Sequence, residues 1–245
     1  MAQSLASEGY IVVTVDHPYD ATVVEFNDGS FVRAANISTD DEKAMEQVVQ
    51  VRASDISFVI DQLQNATVLR GPIENSGSRI DFDRILMYGH SLGGAASAAT
   101  MLSDARIQGG VDLDGQYFSP EKEHGVFRPF LSVGRSDHRV EDPTWDEFYG
   151  NARGPIAEIA VAGNVHGSFT DYPTIVTALK LNLTGDAKAN MQEFIGSGDW
   201  ARMGSIVTNL VKAFGDFVFE HTVTRILRGV DVDFPEVSLV RSQQL

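Results

Sequence analysis

The 245-residue chain is 43% hydrophobic and carries a net charge of −15, which suits one compact domain spanning residues 1–245. Its acidic residues are spread along the sequence, and phosphate binding needs clustered Lys and Arg, so a nucleic-acid partner is excluded. Cysteine is absent, which excludes disulfides and thiolate metal sites, and no apolar run reaches the roughly 18 residues of a membrane span.

In chain order, AQSLASEG reads as the end of a helix with Gly9 as its stop. YIVVTVDH follows, a β-branched and nearly continuous apolar run of the kind that forms a strand buried on both faces. DHPYDATVVEFNDG begins at its end and reads either as a surface loop or as a border of the site. From Asp40 to Asn65 the apolar residues Met45, Val48, Val49, Ile56, Val59, Ile60 and Leu63 recur at helical spacing, so a long helix should pack against a sheet. RILMYGH, IQGGVDLDG, RPFLSVGR and IAEIAVAG supply four more strand-like runs, separated by a helix or by loops containing Pro and Gly. Strands alternating with helices predict an α/β fold: a mostly parallel sheet with helices on both faces. Residues from about 173 to 229 read as mainly helical. There Ile206, Leu210, Phe214, Phe217 and Val218 mark a core-covering helix, favoured over a lipid-binding one.

Three sequons, at Asn36, Asn65 and Asn182, against about one expected by chance, point to a secreted glycoprotein. The opening MAQSLASEGY lacks the basic-then-apolar layout of a signal peptide. The expected location is extracellular, with the cytoplasm as the alternative.

The chemistry centres on MYGHSLGGAASAAT, residues 87–100, where Ser91 stands between Gly89 and Gly93. The Gly-x-Ser-x-Gly pattern alone is a weak signal. Here it follows a buried strand and opens a helix of small residues able to pack closely on the sheet, the setting of a nucleophile elbow. Such a turn strains Ser91, and both glycines are expected to leave room for neighbouring backbone. An elbow serine needs a base, and the base needs a carboxylate to orient it. His166, in AGNVHGSFTDYP after the last predicted strand, is the candidate base. Asp114 and Asp137 each follow a strand and both remain candidates for the acid, whereas Asp112 alternates with Asp114 and reads as a structural cap. His17, His90, His124, His138 and His221 have no comparable placement and are assigned structural or surface roles. Asp, Glu and His do not cluster at ligand spacing, so neither a metal nor an organic cofactor is implied.

LMYGHSLGGAAS, GGVDLDGQYFSP and AGNVHGSFTDYP, with GYIVVTVDHPYDA upstream, resemble the platelet-activating-factor acetylhydrolase (lipoprotein-associated phospholipase A2) family, especially its fungal members. The resemblance runs from about Gly9 to Pro173. It implies a calcium-independent serine esterase of the α/β-hydrolase fold that removes short or oxidised acyl chains from phospholipids. Carried over, it makes Ser91 the nucleophile, Asp114 the acid and His166 the base, with Asp137 as the alternative acid. One oxyanion donor should be the backbone N–H of Leu92; the family's second donor lies upstream of the helix preceding GYIVVTVDH.

The resemblance also implies that the first strands of the fold, with that donor loop, lie upstream of Met1, so the chain is expected to be an N-terminally incomplete copy. YIVVTV and RILMYG must then either pair directly or leave backbone groups unpaired. The partner expected is a small-molecule or lipid ester, with transient lipid-surface contact and no transmembrane segment. Competing readings are a cutinase-like polyesterase, a hydrolase of secondary metabolism, and a non-catalytic binding protein on the same fold.

Overall fold

A computed structural model describes residues 1–69, 77, 79–181, 183–196 and 200–245. Helix α1 (Ala2–Ser7) ends at Gly9, whose φ of +96° suits the predicted stop. A hairpin of β1 (Val23–Glu25) and β2 (Phe31–Arg33) follows. After helices α2 (Glu42–Leu63) and α3 (Ala66–Leu69), the four predicted strands appear as β3 (Ile85–His90), β4 (Ile107–Leu113), β5 (Phe130–Arg135) and β6 (Ile156–Val161). Between them lie α4 (Leu92–Ser103), α5 (Glu121–His124), α6 (His138–Glu141) and α7 (Thr144–Asn151). The C-terminal region contributes α8 (Tyr172–Ala178), α9 (Gly185–Ile195), α10 (Trp200–Glu220) and a last strand, β7 (Val237–Gln243).

Strands β3 to β6 pair in parallel and in sequence, and β7 closes the far side antiparallel to β6. Because successive strand residues point to opposite faces, Val111, Leu113, Leu131, Val133, Ile159 and Val161 meet α10 on one side. Phe130 and Ile156 meet α2, α4 and α7 on the other, joined by Ile107, which lies before the irregularity in the β3–β4 register that breaks the alternation. Ile206, Leu210, Phe214 and Phe217 of α10 are buried, as their spacing predicts, and Val218 is partly so. The small residues of α4 explain its close seat: Ala95, Ala96, Ser97, Ala98 and Ala99 are all at most 2% exposed. Helix α2 packs Met45, Val49 and Ala53 against Ala95 and Ala99 of α4, so it reaches the sheet mainly through that helix.

Two expectations are corrected. Residues 10–17 form no strand; they run outside both sheets, with Ile11 and Val13 about half exposed at 44% and 45%. A strand is defined by its ladder partners, and among the described residues β3, at the edge of the sheet, pairs with β4 alone. The second alternative, unpaired backbone, is therefore the one realised. DHPYDATVVEFNDG is likewise only partly loop, since its end enters the β1–β2 hairpin, turned at Asp28-Gly29 with Gly29 at φ +82°.

Candidate active site

The parallel sheet brings the C-terminal ends of β3, β4, β5 and β6 side by side, and the predicted site residues follow those ends. Ser91 links His90, the last residue of β3, to Leu92, the first of α4, at φ 57° and ψ −124°. A non-glycine residue in this region carries strain of about 1–3 kcal/mol, which only surrounding contacts sustain. The Ser91 N–H donates to Leu113 O at 3.0 Å, tying the turn to the end of β4. A Cβ at Gly89 would lie 2.3 Å from the Gly93 carbonyl carbon, so glycine is sterically required there. At Gly93 an added Cβ would meet nothing within 4 Å. Only Gly89 makes room for neighbouring backbone, in contrast to the expectation for both.

Gly94 and Ala95 N–H groups donate to Ser91 O at 2.9 and 3.3 Å. The N–H of Leu92 heads the helix, where no intrahelical acceptor exists, and it donates to no group among the described residues.

Asp114 follows β4 in a turn with φ 59°, its N–H bound to Val133 O at 2.7 Å. Its Oδ2 lies 2.8 Å from His166 Nδ1. His166 opens a 3-10 turn, His166–Phe169, that is anchored from behind. Ser168 Oγ accepts from Val165 N–H at 3.0 Å and donates to Ile195 O at 2.9 Å, and Phe169 is fully buried in the core. Ser91, Asp114 and His166 line one cavity of about 470 Å³, together with Gln116, Arg135 and Thr144. The Ser91 hydroxyl makes no hydrogen bond among the described residues; in unliganded sites such bonds often close only with substrate present.

The alternative acid, Asp137, is 65% exposed and pairs with Arg135 Nε at 3.2 Å rather than with His166. Asp112 is buried beneath the elbow. Its Oδ1 accepts from Gly115 N–H at 2.9 Å, and its Oδ2 has no partner. Burial pushes its carboxyl up to about 8, so it is mostly neutral at pH 7. His17 bonds Asp55 at 2.8 Å and His124 bonds Pro120 O at 2.8 Å, both outside the site.

Two histidines assigned structural or surface roles lie within it. His90 donates from Nε2 to His166 O at 3.0 Å, with ring centroids 4.3 Å apart. Burial, reinforced by His166, lowers it to about 4, so it acts as a neutral donor. His138, buried, places Nδ1 2.8 Å from Asp114 Oδ1. Its hydrogen bond to Asp114, its 3.4 Å ion pair with Asp142 and the charges of Asp114 and Asp112 outweigh the opposing effect of burial and raise it to about 9. The bonds from both histidines and from Arg135 likewise outweigh burial at Asp114 and hold its carboxyl far below the usual range. The signal that could have found these residues is position: His90 precedes the serine at a strand end, and His138 follows the end of β5.

Among the described residues no cluster of three His, Cys, Asp or Glu side chains could hold a metal, and no helix is long and apolar enough to cross a membrane.

The strained strand-to-helix turn at the C-terminal edge of a parallel sheet is that of an α/β-hydrolase. A ferulic acid esterase from Streptomyces cinnamoneus superposes with a TM-score of 0.75 at 28% identity, over 92% of this chain and 64% of that one. The chain belongs to the family described as platelet-activating factor acetylhydrolase, isoform II, whose model matches residues 1–194. It is 27% identical to a probable 1-alkyl-2-acetylglycerophosphocholine esterase of Arthroderma benhamiae, over 97% of this chain and 60% of that protein. It is 25% identical to a platelet-activating factor acetylhydrolase of Cavia porcellus, over 69% of this chain and 43% of that protein. The chain thus spans 60% or less of the length of both relatives.

Proposed function

We propose that this protein is a serine ester hydrolase that removes short acyl groups from phospholipid-like substrates through an acyl-enzyme. The observation that carries the proposal is the 2.8 Å contact from Asp114 to His166 Nδ1, in the cavity that also exposes the strained Ser91. With its Nδ1–H committed to Asp114, a neutral His166 presents Nε2 as a base. It takes the Ser91 proton as Oγ attacks the ester carbonyl. The same proton then leaves with the alcohol, and a water activated by His166 releases the acyl group. The Leu92 N–H stabilises the oxyanion; losing one such donor typically costs about 100- to 1000-fold in rate. The esterase and acetylhydrolase names of the relatives support the acyl and headgroup class.

The test is covalent labelling of Ser91 by a fluorophosphonate and hydrolysis of p-nitrophenyl acetate, both abolished in Ser91→Ala. A folded chain that neither reacts nor hydrolyses is a binding protein instead. A second reading, cleavage of aromatic acyl esters, is favoured by the ferulic acid esterase likeness. Comparing acetyl-glycerophosphocholine with methyl ferulate separates the two.

The wider setting belongs to the same proposal. Helix α8 begins shortly after His166 and leaves Tyr172, Ile175 and Leu179 exposed at helical spacing, which suits transient contact with a lipid surface. An extracellular, glycosylated protein is supported by the exposed Asn36 and Asn65; Asn182 lies outside the described residues. A mass shift removed by endoglycosidase after secretion from a eukaryotic host tests this.

A further inference from the structure

Asp114 has more donors than orienting one imidazole requires. Its Oδ1 accepts from the Arg135 backbone N–H at 3.0 Å and from His138 Nδ1 at 2.8 Å, while Oδ2 accepts from Arg135 Nη1 at 3.2 Å and His166 Nδ1 at 2.8 Å. A carboxylate offers about four lone-pair sites, so every one is filled. The donor behind Oδ1 is itself held firmly. The His138 side chain is 6% exposed, and its ring centroid lies 4.2 Å from that of Trp145. The Trp145 Nε1–H donates to Gly115 O at 2.6 Å, next to Asp114 in the chain. Gly134 leaves the space, since a Cβ there would sit 3.2 Å from both Asp114 Oδ1 and His138 Cβ. The far nitrogen of His138, Nε2, faces Asp142 Oδ2 at 3.4 Å.

We propose that His138 is a positioning residue: its Nδ1–H pins Oδ1 of Asp114, so that the carboxylate cannot turn about its χ2 and Oδ2 alone is presented to His166. The catalytic consequence rests on the ester-hydrolase reading; the clamp does not. Without His138, Oδ1 would keep the Arg135 backbone N–H at 3.0 Å as its one donor; terminal carboxylate torsions are broad and two-fold, so a carboxylate with that side loosened would sample more orientations that weaken its hold on the imidazole. The charged groups that act on His138 are Asp114 from the turn after β4, Asp142 after α6 and Asp112 of β4; Arg135 of β5 binds the same Asp114 carboxylate, and Arg139 of α6 and Glu158 of β6 line the cavity beside the ring.

Two variants of the full chain test this. His138→Leu removes donor and charge. His138→Asn keeps an amide N–H near the position of Nδ1 without the charge. The primary readout, independent of activity, is ¹⁵N-imidazole NMR of His166. In His138→Leu its Nδ1–H signal should weaken through faster exchange, whereas His138→Asn should keep it. If esterase activity is present, kcat should fall about tenfold in His138→Leu with KM within about twofold, and recover in His138→Asn. Rescue by His138→Asn with loss in His138→Leu, at an unchanged KM, is a pattern that a purely structural role would not produce. A His166 Nδ1–H signal in His138→Leu identical to that of the parent would overturn the clamp. If His138→Leu fails to fold, His138→Phe, which keeps a ring against Trp145 without the donor, carries the same NMR test. If the parent chain is never labelled at Ser91, the ester-hydrolase reading falls while the NMR result still decides the clamp.

Discussion

Asp112→Asn should stabilise the protein increasingly as pH rises. The native carboxyl is fully buried, with burial raising it to about 8, whereas an unfolded Asp titrates near 3.9. A raised folded-state value contributes stability that is fully present below pH 3.9 and lost as pH rises through about 8. Over the window from pH 4 to pH 7 the native state must keep a proton that the unfolded chain has released. At about 1.4 kcal/mol per unit this costs roughly 4 kcal/mol at pH 7. The Asn variant has no such proton, and its Oδ1 still accepts from Gly115 N–H. Its amide N–H groups replace an oxygen that has no partner, a pH-independent penalty of about 1–3 kcal/mol. Thermal unfolding of parent and variant at pH 4, 5, 6 and 7 separates the two contributions. The Tm difference should grow in favour of Asn by about 10 °C across that range. A difference that stays flat, or that shrinks with pH, would refute a neutral buried acid beneath the elbow.

The two candidate acids should behave differently: Asp114→Asn should lower kcat by about 10⁴-fold by reversing the tautomer preference of His166, while Asp137→Asn, at an exposed position, should leave it within about twofold. Esterase rates on p-nitrophenyl acetate read both. The two glycines of the elbow should diverge in the same way. Gly89→Ala drives a Cβ to 2.3 Å from Gly93 backbone and should cost about 1–3 kcal/mol together with activity, whereas Gly93→Ala enters open space. Urea unfolding and active-site titration distinguish them. His90→Gln keeps a neutral donor toward His166 O and should retain activity within about threefold, whereas His90→Leu should lose more; comparing kcat of the two checks that the hydrogen bond matters.

Strands β3 to β6 could be read from the chain because parallel strands buried on both faces are continuous apolar runs bounded by turns. The same logic misread residues 10–17, whose composition is that of a buried strand but which find no ladder partner. Strand β7 escaped notice for the opposite reason. Its residues alternate in exposure from Val237 onward and include Arg241, which binds Glu158 Oε2 at 2.6 Å, so it lacks the apolar run of the inner strands. The hairpin strands, with three residues each, are too short for a periodicity to register.

The elbow at Ser91 was determined locally, because its strain and its glycine follow from a turn between adjacent elements. Sequence order and family resemblance were also enough to nominate His166 and to prefer Asp114. Tertiary structure alone decided which side chains surround that carboxylate. His90 and Arg135, at the ends of β3 and β5, reach the site through strand register, where a shift of one residue would turn each to the opposite face, and His138 of α6 reaches it by packing on Trp145. Such contacts join residues up to 76 positions apart, so no local pattern in the chain records them.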